Sequence, residues 1–254
     1  MTKSEALTLQ TFLKNAGFDP GPLDGLWGKS SQRAEDAWKA STTGVVLGRV
    51  GYNEIRSLRG AVYWVAGMTI DADGDPKCYH PLSRQGLDDL ACAGKPGNWW
   101  GVATDDHKSN GTPVVQGDHD PAPGYYVSTT ALEDPNYDWK SPSRYVNSGR
   151  IPFAVIPGIG KAKLGEATVG DLATVLYKGR VCHAVVGDVG PSDHLGEASI
   201  ACAQALGIES NPRHGGVPSG VTYIIYPDSG DGKPIAAADI EQRAAKLFAA
   251  LKWT

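Results

Sequence analysis

No stretch of this 254-residue chain is apolar for long enough to cross a bilayer, which takes about 20 consecutive residues as a helix. There is no basic run either: 24 Lys and Arg stand against 28 Asp and Glu, with the two signs interspersed and a formal net charge of −4. That balance excludes an electrostatic grip on a phosphate backbone, so neither a nucleic-acid partner nor membrane insertion is expected. Methionine and phenylalanine are scarce, at two and four residues, whereas glycine and proline reach 32 and 17. Such a mixture argues against a helical bundle and for a loop-rich β protein. The opening residues MTKSEALTLQTFLKNAG are amphipathic and lack the unbroken apolar core of a secretory leader, so synthesis in the cytoplasm without a signal peptide is expected.

Metal chemistry is also poorly provided for. The six histidines, His80, His107, His119, His183, His194 and His214, form no HxxxH or HxH pair, and the four cysteines fit no zinc spacing. No metal and no cofactor are expected. Cys78 and Cys92 span a long loop and would suit a disulfide in an oxidising compartment. Cys182 and Cys202 flank an acidic segment and are expected as spatial neighbours, either bridged or as buried thiols.

What is present divides at about residue 58. In residues 1–58, Leu7, Leu9, Gln10, Phe12 and Leu13 outline a short amphipathic helix with Ser4 as its N-cap. The turn-rich GFDPGPLDGLWG follows, then a second helix from Lys29 to Lys39 with Ala34, Ala37 and Trp38 as its apolar stripe. A third helix is expected within Thr42 to Leu58, starting near Asn53-Glu54-Ile55.

From residue 59 to 254 the texture is β. Ala61–Ala66, Gly124–Ala131, Ile151–Ile156, Leu172–Tyr177, Arg180–Gly187 and Val221–Tyr226 are short apolar or alternating runs bounded by Gly, Pro or Asp. Lys178-Gly179 reads as a tight hairpin turn. Two helices are expected here, one opening at Glu197 and stopping at Gly207, the other from Ile235 to Leu251. The fold class is α+β: a small helical module before a mixed or antiparallel β-barrel-like domain with a few helices. The loop from Asp71 to Gly117 is too long for a mere connector and is expected to border a functional surface.

The segment RVCHAVVGDVGPSDHLGEASIACAQALG, Arg180 to Gly207, carries two carboxylates at its joints. Asp188 ends the strand, and alternation puts it on the face of Cys182, Ala184 and Val186. Glu197 opens the helix, where the helix dipole would favour its ionised form. A pair of acids on opposite sides of a glycosidic bond is what glycoside hydrolysis usually needs. The plain alternative is a capped helix after a buried strand, with two solvated acids. Asp71, Asp73 and Asp75 add an acidic run that offers oxygens at alternate positions, as calcium loops do, but it lacks the closing Glu of the helix–loop–helix site. Asp71 and Asp73 are better read as substrate-binding or as a polar loop. Trp99-Trp100 in the long loop, Tyr126 and Tyr145 are candidate stacking surfaces for sugar rings, with core packing as the alternative.

Two resemblances sharpen this reading. Leu9-Gln10, Leu13, Gly17, Asp24-Gly25, Trp27-Gly28, Ser31, Ala34 and Trp38 make residues 1–58 similar to the small peptidoglycan-binding domain of cell-wall hydrolases. Four blocks make the rest similar to glycoside hydrolase family 75 chitosanases: MTIDADGD at Met68–Asp75, GYYVSTTAL at Gly124–Leu132, RYVNSGRIPFAVIP at Arg144–Pro157 and GDVGPSDHLGEASIACA at Gly187–Ala203. The resemblance implies an inverting endo-hydrolase of β-1,4-linked glucosamine polymers, with catalytic Glu197 as proton donor and Asp188 as base. The chain departs from the fungal pattern at Thr69 and Ala72 and in a shorter loop between the acids.

The wall-binding prefix and the missing leader point to bacterial peptidoglycan as substrate, cut by a muramidase-type lysin or exported toxin at the cell wall, in the periplasm or outside the cell. Chitosan is the alternative. An export machinery, a holin or an immunity protein would be the matching partner, and a monomer is expected. A reading of another class is a non-catalytic wall-binding protein that has kept the barrel.

Overall fold

The computed structural model describes residues 2–15, 18–41 and 55–251. In chain order the elements are helices α1 (Lys3–Asn15) and α2 (Lys29–Ser41), strands β1 (Arg56–Leu58) and β2 (Ala61–Asp71), a small hairpin of β3 (Gly94–Lys95) and β4 (Asn98–Trp99), and strands β5 (Phe153–Pro157), β6 (Leu172–Tyr177), β7 (Arg180–Gly190) and β8 (Glu197–Ser199). Helix α3 (Ile200–Leu206), strand β9 (Val217–Tyr226) and helix α4 (Ala237–Leu251) complete the chain. None of the described helices is long and apolar enough to cross a membrane.

Six strands close into a barrel in the order β2-β8-β5-β7-β6-β9, because β9 pairs back onto β2. The β2–β8 and β5–β7 pairs are parallel and the other pairs are antiparallel, so the barrel is mixed. The strands are apolar on both faces, and each face has its own partner. Trp64, Ala66, Met68 and Ile70 of β2 meet Ala173 and Val175 of β6, Cys182, Ala184 and Val186 of β7, and Val221, Tyr223 and Ile225 of β9 in the interior. There Trp64 stacks on Tyr223 at 5.5 Å between centroids. Helix α3 adds Cys202, Ala203 and Leu206 to the same set.

The intervening residues, among them Tyr63, Phe153, Leu172, Val185 and Ile224, form an outer layer under α4. The α4 stripe is Ile240, Ala244, Phe248 and Leu251, with Leu247 partly buried, as its helical spacing predicts. Burial on both faces is why the runs read as continuously apolar.

Several local expectations hold. Lys178 and Gly179 take φ values of 46° and 78° and join β6 to β7 as a hairpin, with Tyr177 opposite Arg180. In the N-terminal pair, Gln10 is buried and ties α1 to the turn before α2. Its Nε2 donates to Leu26 O at 2.9 Å and Ser31 Oγ at 3.2 Å, and its Oε1 accepts from Gly25 N at 2.8 Å. Leu13, Ala34 and Trp38 of these helices join the barrel's outer apolar layer.

Other expectations are corrected. Ser4 is not an N-cap, since α1 starts at Lys3. Thr42 to Glu54, where most of a third helix was placed, lies outside the described residues, and Arg56–Leu58 is a strand hairpinned onto β2 through Arg59-Gly60. Gly124–Ala131 is not a strand: it makes only single bridges, Val115 to Tyr126 and Val102 to Ser128. The Gln116 amide takes the Tyr126 carbonyl that a ladder would have used. The segment opening at Glu197 is strand β8, and α3 begins at Ile200 with Ser199 as N-cap, its hydroxyl accepting from Cys202 N. All four cysteines are free thiols, so Cys78 and Cys92 are not bridged; Cys182 and Cys202 are buried thiols of one interior cluster.

Candidate active site

The site is set by a β-bulge. In the β5–β7 ladder Phe153 faces Val185 and Ala154 faces Val186, but Val155 faces Asp188, leaving Gly187 unpaired. Strict alternation would send Asp188 inward with Cys182, Ala184 and Val186. The extra residue turns it over to the side of Val155, an outer-layer residue, which corrects the face expected from alternation. Only glycine fits the bulge, because a Cβ on residue 187 would lie 2.4 Å from Phe153 Cγ.

The other acids arrive on the same side from β2 and β8. Thr69 faces Glu197 and Asp71 faces Ser199 in their parallel ladder, alternating with the inward pair Ile70 and Ala198. Glu197 also lies against the end of β7, where a Cβ on Gly190 would sit 3.0 Å from its Oε2. Asp73 follows Asp71 through a tight turn in which Asp73 N donates to Asp71 Oδ1 at 2.6 Å.

These carboxyls raise one another's pKa, and burial raises all four. Asp188 is pushed up to about 7, first by burial and also by Glu197, against the pull of two amide donors. Those donors are Val189 N at 2.7 Å and Ala131 N at 3.0 Å, both to Oδ1. Glu197 is pushed up to about 8 by burial and then by Asp71 and Asp88. Among the described residues no donor hydrogen-bonds its carboxyl. Asp71 also rises to about 8, through burial and Asp188.

Burial, Asp71 and Asp188 hold Asp73 well above the usual carboxylate range, although the neighbouring Tyr79 hydroxyl and the Ser128 hydrogen bond favour its carboxylate. The Ser128 bond to Oδ1 is 3.2 Å, and the Cys78 thiol adds a contact at 3.6 Å. Glu197 lies on strand β8, two residues before Ser199, the N-cap of α3, rather than in the first turn of the helix. No group of three or more His, Cys, Asp or Glu among the described residues is arranged to hold a metal ion.

A cleft of about 260 Å³ lies on the far side of the segment that holds Asp73 and Asp188, with none of the four acids in its lining. Trp99, Trp100, Thr129, Thr130, Glu133 and Tyr145 line it, with His107 and Lys108 at one side. The segment from Ser128 to Ala131 joins the two regions: it bonds Asp73 and Asp188 at its ends and lines the cleft between them. Three of the four aromatic candidates, Trp99, Trp100 and Tyr145, therefore come together. Trp100 is 61% exposed, with its indole N–H fixed on Cys92 O at 2.7 Å. Tyr126 does not line the cleft; it packs behind Trp99 with centroids 6.3 Å apart.

Sequence reasoning missed Tyr79 and Ser128, the partners of Asp73, and the Glu133–Arg144 pair, which is bidentate at 2.7 and 2.9 Å. Their separation in the chain carried no periodic signal.

The family described as "Fungal chitosanase of glycosyl hydrolase group 75" matches residues 68–252, a span that holds the four acids and the cleft. No curated protein matches the chain.

Proposed function

Because the chain belongs to glycosyl hydrolase group 75, and so is a glycoside hydrolase, we propose that it cuts β-1,4-linked amino-sugar chains internally, with Glu197 and Asp188 as acid and base. The observation that carries the roles is the unequal tuning of two acids on one face. Asp188 accepts two amide N–H bonds, which favour its carboxylate. Glu197 has no such donor among the described residues, and burial keeps its proton. Glu197 gives that proton to the glycosidic oxygen as the C1–O bond breaks. Asp188 takes a proton from the water whose oxygen bonds to C1, so the anomeric centre inverts. Asp71, pushed up to about 8, and Asp73, held well above the usual carboxylate range, supply hydrogen bonds to the sugar.

Chitosan is the substrate that the family description supports. Peptidoglycan is the second reading, favoured by the N-terminal helix pair, whose Gln10, Asp24-Gly25 and Ser31 motif is knit together by hydrogen bonds. The test is digestion of soluble chitosan and of peptidoglycan sacculi, with products reduced and identified by mass spectrometry and the anomeric course followed by NMR. Asp188→Asn and Glu197→Gln should each lose about 10²–10⁴-fold in kcat while staying folded. Near-full activity in both variants would sink the assignment.

A further inference from the structure

Arg213, in the loop between α3 and β9, is tied to a second loop far away in the chain. Its Nη2 donates to Ser83 O at 2.7 Å, Asp88 O at 2.8 Å and Gly86 O at 3.2 Å, and its Nη1 pairs with the Asp89 carboxylate. A lone surface ion pair contributes little. Here three carbonyls and a carboxylate converge on one rigid fork, which holds a loop in one place. A lysine ammonium, a compact point charge with three protons, could not serve all four acceptors.

Both loops are rooted at the acids. The loop that carries Arg213 closes on itself, with Gly216 N donating to Glu209 O at 2.7 Å. A Cβ on Gly216 would lie 2.0 Å from Met68 O and 3.5 Å from Cα of Thr69, the residue that faces Glu197. In the clamped loop, Leu87 N donates to Lys77 O at 2.9 Å and Asp88 N to Cys78 O at 3.1 Å. The Cys78 thiol in turn touches Asp73 Oδ1 at 3.6 Å. Arg213 therefore holds Asp88 by its carbonyl, and Cys78 joins Asp88 to the acid cluster. The Asp88 carboxylate accepts from Asp89 N at 2.7 Å.

The negative charge of Asp88 is one of the causes that raise Glu197 and Asp71. The other titratable groups near Glu197 are Asp71 from β2 and Asp188 from β7, with His194 bonded at 3.1 Å to the hydroxyl of Thr69. We propose that Arg213 is a positioning residue of the active site, which fixes the 83–89 loop so that the Asp88 carboxylate stands against Glu197 and Asp71. The proposal rests on the hydrolase reading above, in which Glu197 gives the proton. A loosened loop lets Asp88 move toward solvent, where water and salt screen its charge.

The experiment measures kcat/KM against pH, on soluble oligomers of whichever polymer is cleaved, for the wild-type chain, Asp88→Asn, Arg213→Lys and the double variant. Asp88→Asn removes the charge and leaves the clamp on the backbone carbonyls. Arg213→Lys keeps the positive charge and loses the fork. Each should move the alkaline limb, where Glu197 loses its proton, to lower pH by about half a unit, the effect of one partly screened charge. The acid limb, set by Asp188 and its own amide donors, should stay in place. The double variant should shift no further than Asp88→Asn alone, because both changes remove the same interaction.

An Arg213→Lys chain that melts lower with an unmoved alkaline limb overturns the inference, since the clamp would then serve stability alone. An equal further shift in the Asp88→Asn background also overturns it. If Arg213→Lys does not fold, Ser83→Ala loosens the same loop without changing any charge. The Ser83 hydroxyl accepts from Leu90 N at 2.9 Å and donates to Asp89 Oδ1 at 3.3 Å. Its alkaline limb should move the same way, and an unmoved limb there counts equally against the inference. A wild-type chain that cleaves neither chitosan nor peptidoglycan overturns the hydrolase reading and this inference with it.

Discussion

Asp188 stands opposite Val155 in the β5–β7 ladder only because Gly187 is left without a partner. That single unpaired residue moves a carboxylate from the barrel interior to the face that Glu197 and Asp71 share. A buried, unpaired Asp among Trp64, Met68 and Val186 would be untenable, so the bulge serves both stability and the site.

Gly187→Ala is therefore expected to damage both. The new methyl would fall on the Phe153 ring, a backbone-held aromatic in the outer layer. A loss of about 1–3 kcal/mol is expected, as for overpacked cores. Urea denaturation measures the loss, and the kcat/KM ratio should drop with it as Asp188 shifts. An unchanged Gly187→Ala variant would refute the argument.

The pH–rate profile follows from the two raised carboxyls. Activity needs Asp188 ionised and Glu197 protonated. It should rise as pH passes Asp188 at about 7 and fall as pH passes Glu197 at about 8, giving a narrow bell on the neutral to mildly alkaline side. The measurement is kcat/KM against pH on chitosan oligomers. A bell centred near pH 4–5, where unshifted carboxylates of about 3.9 and 4.3 would put it, contradicts the burial argument.

The same acids work against folding at higher pH. In the unfolded chain they lose protons near pH 4, whereas in the folded protein Asp71, Asp188 and Glu197 keep theirs to about 7–8. Between these limits the folded state binds more protons, so stability falls as pH rises from about 4 to 8. Asp188→Asn, whose amide oxygen still accepts from Val189 N and Ala131 N, should melt higher than wild type. The margin should be small at pH 5 and larger at pH 8, as read by calorimetry.

Gln10→Ala is expected to loosen the N-terminal pair and spare the barrel. It removes a buried amide that holds Leu26, Ser31 and Gly25. The local cost should be about 2–3 kcal/mol, at roughly 1 kcal/mol per hydrogen bond. Limited proteolysis should cut within residues 2–41 faster, while turnover of soluble oligomers stays near wild type. Loss of sacculus binding in the same variant would tie the pair to wall recognition; unchanged binding would separate them.

Much of the barrel was legible. Leu172–Tyr177 is strand β6 with the bounds that its apolar run marks, and the Ile240, Ala244, Phe248 and Leu251 stripe of α4 follows from helical period. These elements bury regular faces, and regular faces leave periodic patterns. Gly124–Ala131 misled because its alternation is that of a loop held by isolated bridges and by the Gln116 side chain, which a local pattern does not register. Strand β8 was hidden because three residues, Glu197–Ser199, are too few to show a period and run directly into a helix.

By itself, the sequence determined the chemistry on offer: the acids Asp71, Asp73, Asp188 and Glu197, the loop aromatics, the apolar strands, and the absence of any histidine or cysteine pattern for a metal. Residue type and short-range period carry that information. Only the tertiary structure decided which faces those acids take, that Ser128 and Ala131 bridge them to the Trp99–Trp100 cleft, and that Glu197 sits on a strand ahead of α3 rather than in its first turn. Those relations depend on register between strands far apart in the chain, and one bulged glycine is enough to invert a face.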